Sequence, residues 1–278
     1  MRKQHILIRI TTIIILAGGG LMMTLPFFWL ITSSLKEPTK IYVFPPQFIP
    51  DPIRWQNYIE VFTAVPVFLY AKNTLLITFF ATIGTLLSSV LAAYAFARLN
   101  FKGRDALFSV LIASLILPFV VTMIPIYVMF SKIGWVNTLL PLIVPAFFGE
   151  AFFIFLLRQF FRTIPIELED AARIDGAGRL RIIFQIMVPL ARPSVVVVGI
   201  LSALENWNAF MQPLMFLTKR KVWTLALGMN SLQRFDTGRD WTHYLMVLGV
   251  FMVVPVIITY FIAQRELIEG IVMTGMKT

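Results

Sequence analysis

Six windows of about twenty mostly apolar residues, at roughly 10–31, 74–97, 107–130, 139–161, 194–215 and 244–263, limit what this chain can fold into. As a helix, each is long enough to cross the ~30 Å hydrocarbon layer of a bilayer. Composition agrees, with 58% hydrophobic residues, 14% charged residues and 26 phenylalanines, whereas soluble domains are usually about 45–50% apolar. The expected fold is all-α and integral to the membrane, with six transmembrane helices in a single domain over residues 1–278. Arg2 and Lys3 precede the first apolar run as in a signal peptide. That run outlasts the usual ~7–15 residue signal core and has no small-x-small cleavage site, so it is read as a mature helix.

Basic residues orient the spans. Arg98, Lys102 and Arg104 follow the second window, and Arg158, Arg162, Arg173, Arg179, Arg181 and Arg192 surround the loop after the fourth. With Arg2, Lys3 and Arg9 they mark the cytoplasmic face, which puts both termini in the cytoplasm. Lys219, Arg220 and Lys221 fall on the opposite side and are read as an external contact or a salt-bridged surface. The outer segment from Lys36 to Lys72 is rich in proline and should hold one short amphipathic surface helix near residues 55–62; residues 218–242 form a second outer element. The net charge of +10 is dispersed between apolar runs, so membrane lipid headgroups are the expected counter-charge and nucleic acid is not. There is no cysteine, and His5 and His243 stand far apart, so no metal site is expected. The chain contains no phosphate-cradling G-x-x-x-x-G-K-[ST] and no nucleophile-base set, so it is not expected to be an enzyme.

Between the fourth and fifth windows lies a polar island, about residues 163–190. Thr163 can cap a helix with Pro165 in its first turn, and Glu167, Glu169 and Asp170 suit its positive end. Asp175-Gly176 should end that helix. A second helix, about 179–187, puts Ile182, Ile183 and Ile186 on one face before Pro189 and Pro193 lead into the next span. So short a hairpin needs a packing partner. Ala171, Ala172, Gly176 and Ala177 allow close approach by another surface, while the flanking acids can pair with bases there. A hairpin lying on the inner leaflet is the competing reading.

The order Asp170-Ala171-Ala172, Gly176, Ile186 and Val188-Pro189, with Phe184 between, resembles the EAA loop of ATP-binding-cassette importer permeases. The version Ala171-Ala172-Arg173-Ile174-Asp175-Gly176-Ala177 is similar to the second, shorter membrane subunit of maltose-type carbohydrate importers. Ser34-Leu35-Lys36, Asn73, Ala93 to Arg98, Phe155 to Phe161, Trp207-Asn208 and Pro213-Leu214 extend the match. The resemblance implies a type I importer permease fold and a coupling helix seated in a cleft of a cytoplasmic ATPase, with Glu169, Asp170, Ala171, Ala172, Asp175, Gly176, Ala177, Phe184 and Pro189 as its residues. It also implies a second permease subunit, two ATPase subunits that hydrolyse ATP with Mg, an extracytoplasmic solute-binding protein, and no cofactor bound by this chain. Asp170 stands where the family usually has glutamate, so a salt bridge expected there is longer or is taken over by Glu169. The tail, with Gly275 and Lys277, is similar to a C-terminus that reaches between the ATPase subunits.

Glu150 and Glu205 sit inside apolar windows, at similar depth, roughly 16–18 Å from the inner boundary by helical rise. Buried acids at such depth face protein or water. One reading has them line a substrate path with Asn206, Trp207 and Asn208 supplying hydrogen bonds and a stacking face to a small carbohydrate. The other has them bond between helices. Taken together, the expected function is a permease subunit of an ATP-driven carbohydrate importer in the cell's inner membrane, with a secondary transporter or channel as the alternative.

Overall fold

The structure is a computed structural model that describes residues 2–234 and 241–275, with side chains described for 9–233 and 241–266. The regular elements among the described residues are helices, with no strand. They form two compact units, Met1–Val67 with Gly228–Val254, and Phe68–Leu227 with Pro255–Thr278.

In the first unit, α1 (Arg2–Ser34) carries the first apolar window and remains exposed along it. Its end is tied to α2 (Gln56–Ala64), the expected surface helix. Asn57 Nδ2 donates to the carbonyls of Ser34 (2.9 Å) and Lys36 (2.8 Å), groups that α1 leaves without helical partners. Lys36 is 1% exposed, with its ammonium 3.7 Å over the Trp29 ring, and burial pushes its pKa down. Arg54 pairs with Glu60 at 3.0 Å, and Tyr244 donates to the same carboxylate at 3.2 Å.

The second unit holds the interior of the chain. It takes in α3 (Val67–Arg98) beyond its first residue, then α4 (Arg104–Ser114) and α5 (Phe119–Lys132). The third window is therefore not one rod: α4 and α5 meet at 101°. Pro118 is extended and has no N–H to continue a helix, and the amides of Leu115, Ile116 and Leu117 tighten to i−3 bonds ahead of it. The fourth window breaks too. α6 (Leu140–Ile143) runs into a 3-10 turn, Val144–Phe148, then Gly149 at φ +95° and extended Glu150, before α7 (Ala151–Phe161). The break frees the Ala146 carbonyl, and the Ser88 hydroxyl on α3 lies 2.9 Å from it.

After α7 come α8 (Glu167–Ile174) and α9 (Arg179–Ile182), a π turn at Ile183–Met187, and α10 (Val188–Leu190). An 87° bend leads into α11 (Arg192–Trp207), which stops eight residues short of the expected end of the fifth window; residues 211–216 form a separate short α12 (Met211–Phe216). Pro213, in the first turns of α12, cannot donate back along a continued α11. α13 (Leu225–Arg234) and α14 (Thr242–Gly275) follow. Among the described residues, four stretches meet the length and apolarity of a span, Arg9–Ser34, Val67–Arg98, Leu140–Phe161 and Thr242–Glu266, and the two bent pairs raise the number to as many as six.

A core of Tyr94, Phe153, Leu157, Phe161, Ile182 and Met187 joins α3, α7 and the segment after α8. A second cluster, of Ile77, Phe130, Leu142, Phe216, Leu217 and Leu227, is rimmed by Trp135 and Trp223.

Candidate functional site

The polar island folds as helix, elbow and helix. Glu167, Glu169 and Asp170 do lie in the first turn of α8, where carboxylates meet unpaired amides. The expected cap is absent: Ile166 occupies the N-cap position, and the Thr163 hydroxyl donates instead to the carbonyl of Phe160 at 2.8 Å. The stop is as expected. Gly176 takes φ +80°, the Gly176 amide bonds Arg173 O, and the Ala177 amide bonds Ala172 O at 2.9 Å. This paired arrangement satisfies the last carbonyls of a helix. Ile182 and Ile183 turn into the core, with Ile186 packed on it.

The two faces of α8 differ. Asp170, Ala171, Asp175 and Gly176 face outward with Ile174, which is 87% exposed. Phe184 and Pro189 are exposed on the following segment. Ala172 and Ala177, expected on a docking surface, instead pack on the core. Glu169 is also turned inward and is 0% exposed.

Burying that carboxylate requires partners. Arg98 Nε, at the end of α3, is 2.8 Å from Glu169 Oε1, an ion contact whose N–H is not aligned as a hydrogen bond. Tyr94 donates to Oε2 at 3.0 Å, and Arg173 Nη2 reaches the same oxygen at 3.4 Å. Arg173 Nη1 bridges to Asp170 at 3.2 Å. Arg98 Nη2 also donates to the carbonyl of Ile164, just ahead of α8. Beside them, Arg158 on α7 donates to the carbonyl of Phe96 at 3.2 Å, in the last turn of α3, with its guanidinium 3.9 Å over Phe108. Sequence reasoning did not find Tyr94 and Arg98 as partners of Glu169. Their i, i+4 spacing puts both on one face of α3, but nothing local ties that face to a residue seventy positions on.

A cavity of about 700 Å³ opens where the helices break. Gly149 and Glu150 reach it from the break before α7, and Glu205 and Asn206 from the end of α11. Thr85 from α3, Phe119 at the start of α5, and Met211 and Gln212 at the start of α12 complete much of the wall. The structure thus brings Glu150, Glu205 and Asn206 together. Trp207 and Asn208 do not line this cavity: Trp207 is 8% exposed, and Asn208 Nδ2 donates to Leu204 O at 2.9 Å, as Asn206 Nδ2 does to Ser202 O at 2.8 Å. Helical periodicity accounts for Trp207, since an α11 face that presents 205 and 206 turns 207 away, whereas Asn208 is the residue that ends α11. Thr85 and Gln212 carried no signal in the sequence, because their place on the wall depends on breaks in other helices.

Gly275 is the last described residue of α14, and Lys277 lies outside the described residues, as do Asp236, Arg239 and Asp240 of the second outer segment. No group of three or more His, Asp or Glu that could hold a metal occurs among the described residues.

Residues 84–271 match the family model described as binding-protein-dependent transport system inner membrane component. The chain is similar to the diacetylchitobiose uptake system permease protein NgcG of Streptomyces coelicolor, with 33% identity over 92% of this chain and 84% of that one. It is also similar to the sulfoquinovosyl glycerol transport system permease protein SmoH of Agrobacterium fabrum, with 32% identity over 91% of this chain and 88% of that one. In fold it resembles a solved bacterial ABC transporter involved in the import of the acidic polysaccharide alginate, with a TM-score of 0.82 and 22% identity over 95% of this chain and 98% of that chain.

Proposed function

The chain belongs to the family of binding-protein-dependent transport system inner membrane components, integral membrane permeases, and from that premise we propose that it is the permease subunit of an ATP-driven carbohydrate importer. The observation that supports this most is the polar cavity among broken helices, with Glu150, Glu205, Asn206, Thr85 and Gln212 on its wall. Carboxylates accept hydrogen bonds, carboxamides donate and accept, and a hydroxyl does both, which is what a polyhydroxylated ligand needs. Two relatives are named for carrying glycosides, diacetylchitobiose and sulfoquinovosyl glycerol.

In this reading the whole chain acts as one permease domain and supplies half of the sugar path, a second permease subunit supplying the other half. Two cytoplasmic ATPase subunits bind and hydrolyse ATP with Mg, and an extracytoplasmic solute-binding protein delivers the sugar. Both termini lie in the cytoplasm, and the protein sits in the inner membrane. The outward face of α8, with Asp170, Ala171, Ile174, Asp175 and Gly176, is the surface offered to the ATPase. Closure of the ATPase pair on ATP would move α8, and the cavity would change the side to which it opens. Gly275 and Lys277 would add a second contact with the ATPase.

The test is purification from the native membrane in mild detergent, identification of what accompanies the chain, and reconstitution in liposomes. The expected result is an ATPase and a second permease in the preparation, with sugar uptake that requires ATP and the binding protein. A chain isolated without an ATPase, moving solute on an ion gradient, would replace this reading with a secondary transporter or channel.

A further inference from the structure

We propose that Arg98, assisted by Tyr94, is a positioning residue that passes the displacement of α8 into α3, so that the hairpin moves two walls of the polar cavity together. The inference rests on the docking role given above to α8.

Besides the chain back through α7 to Glu150 and the apolar packing of Ala172 on the core that holds Tyr94, two routes from α8 lead to different walls of the cavity. One is covalent: the chain runs through Gly176, α9 and α10, turns by 87°, and enters α11, which carries Glu205 and Asn206 to the wall. The other is the contact at Glu169. This carboxylate is wholly buried on α8 and is held at 2.8 Å by Arg98 and at 3.0 Å by Tyr94, both near the end of α3. Along α3 the same helix brings Thr85 to the cavity wall, thirteen residues or about 20 Å away by helical rise. A helix is stiff along its axis, so a pull at Arg98 arrives at Thr85.

The geometry suits a tether better than an incidental pair. Arg98 grips the chain twice, at Glu169 on α8 and at the carbonyl of Ile164 just before it, so α8 cannot swing away from α3 without breaking both. The Arg98 side chain is only 8% exposed, and burial leaves the attraction little screened. Arg173, at 45% exposure, is the looser partner. The end of α3 is braced in turn by Arg158 on the Phe96 carbonyl. Without the tether α8 is linked to α3 by apolar packing alone, which slides more readily than an ion pair, and the α3 wall would lag behind the α11 wall.

The chain has no cysteine, so single thiols can report on each wall. Thr85→Cys and Asn206→Cys are made separately in the complete complex, and maleimide labelling rates are compared with and without Mg-ATP plus vanadate. Thr85 is 1% exposed at rest, so in the parent background labelling at position 85 should rise only as the α3 wall moves, and the rate at position 206 should respond as well. Adding Glu169→Gln, which keeps shape and removes charge, should preserve the response at position 206 and reduce that at position 85 by about tenfold, within the range of ordinary coupling energies. Tyr94→Phe, which keeps the ring in the core, should give a smaller loss in the same direction and decides the matter should the Gln variant fail to assemble. Equal responses at both positions in the variants would overturn the proposal, and so would an equal loss at both. No nucleotide response at either position in the parent background would instead overturn the transport reading itself.

Discussion

At the α8 end of the larger unit, the segment between two spans is gripped by charge, with Glu169 buried between Arg98, Tyr94 and Arg173. In the same unit the turn at residues 218–225 is gripped by neutral groups acting on backbone. Asn137 Oδ1 accepts from the amides of Thr218 and Lys219 and from the Thr218 hydroxyl, each at 2.8 Å. Asn73 Nδ2 donates to the carbonyls of Lys221 and Trp223, and Thr74 Oγ1 accepts from the Leu225 amide at 2.9 Å. Clamps on backbone are indifferent to the side chains they hold, so this turn can carry Lys219, Arg220 and Lys221 outward without changing its fastening. A clamp made of ions depends on both partners, and removal of either leaves a buried charge behind. The first arrangement fixes a surface; the second ties one moving part to another.

The largest expected effect follows from that asymmetry. Glu169→Ala strands the Arg98 guanidinium, and unfolding of the solubilised complex should show a loss of about 3–5 kcal/mol. A double variant with Arg98→Ala should recover much of it, which a cycle of the four proteins measures. At the neutral clamp, Asn137→Ala removes an acceptor of three bonds at a residue with φ +64°. The expected loss is about 2 kcal/mol, and Asn137→Gly, which relieves the backbone alone, should recover only part of it. Equal stability of the Ala variant and the parent would remove the distinction drawn between the two clamps.

Much of this was legible in the sequence for a definite reason. Spans, the elbow at Gly176, the apolar face of Ile182 and Ile183, and the surface helix near 55–62 depend on local period and local stereochemistry. Gly176→Val tests the most local of them: no atom lies within 4 Å of an added Cβ, so the cost, about 1–2 kcal/mol, should come from φ +80° alone. The break at Pro118 was not separable from a kink in the sequence, because proline within a long apolar run is compatible with a kink or an end, and Gly149 carried no local signal of its break. The site followed the same division. Glu150 and Glu205 stood out by depth and both line the cavity, whereas which of Asn206, Trp207 and Asn208 join them depends on helical phase and on where α11 ends. Arg98 stayed hidden because its role is set by a contact across seventy residues.

The smallest effect separates a motif from its geometry. Thr163 with Pro165 reads as a helix start, and a threonine cap replaced by alanine would cost about 1 kcal/mol. Here the hydroxyl looks backward to Phe160 O from an exposed position, and no side chain caps α8. Its helix end is held by other means: carboxylates in the first turn favour the N-terminal dipole, and Glu169 is anchored to α3. Thr163→Ala should therefore change unfolding by no more than about 0.5 kcal/mol. A loss of the full cap value would mean that Thr163 caps α8, and would shift part of the fastening at this end from the Arg98 pair to the loop ahead of it.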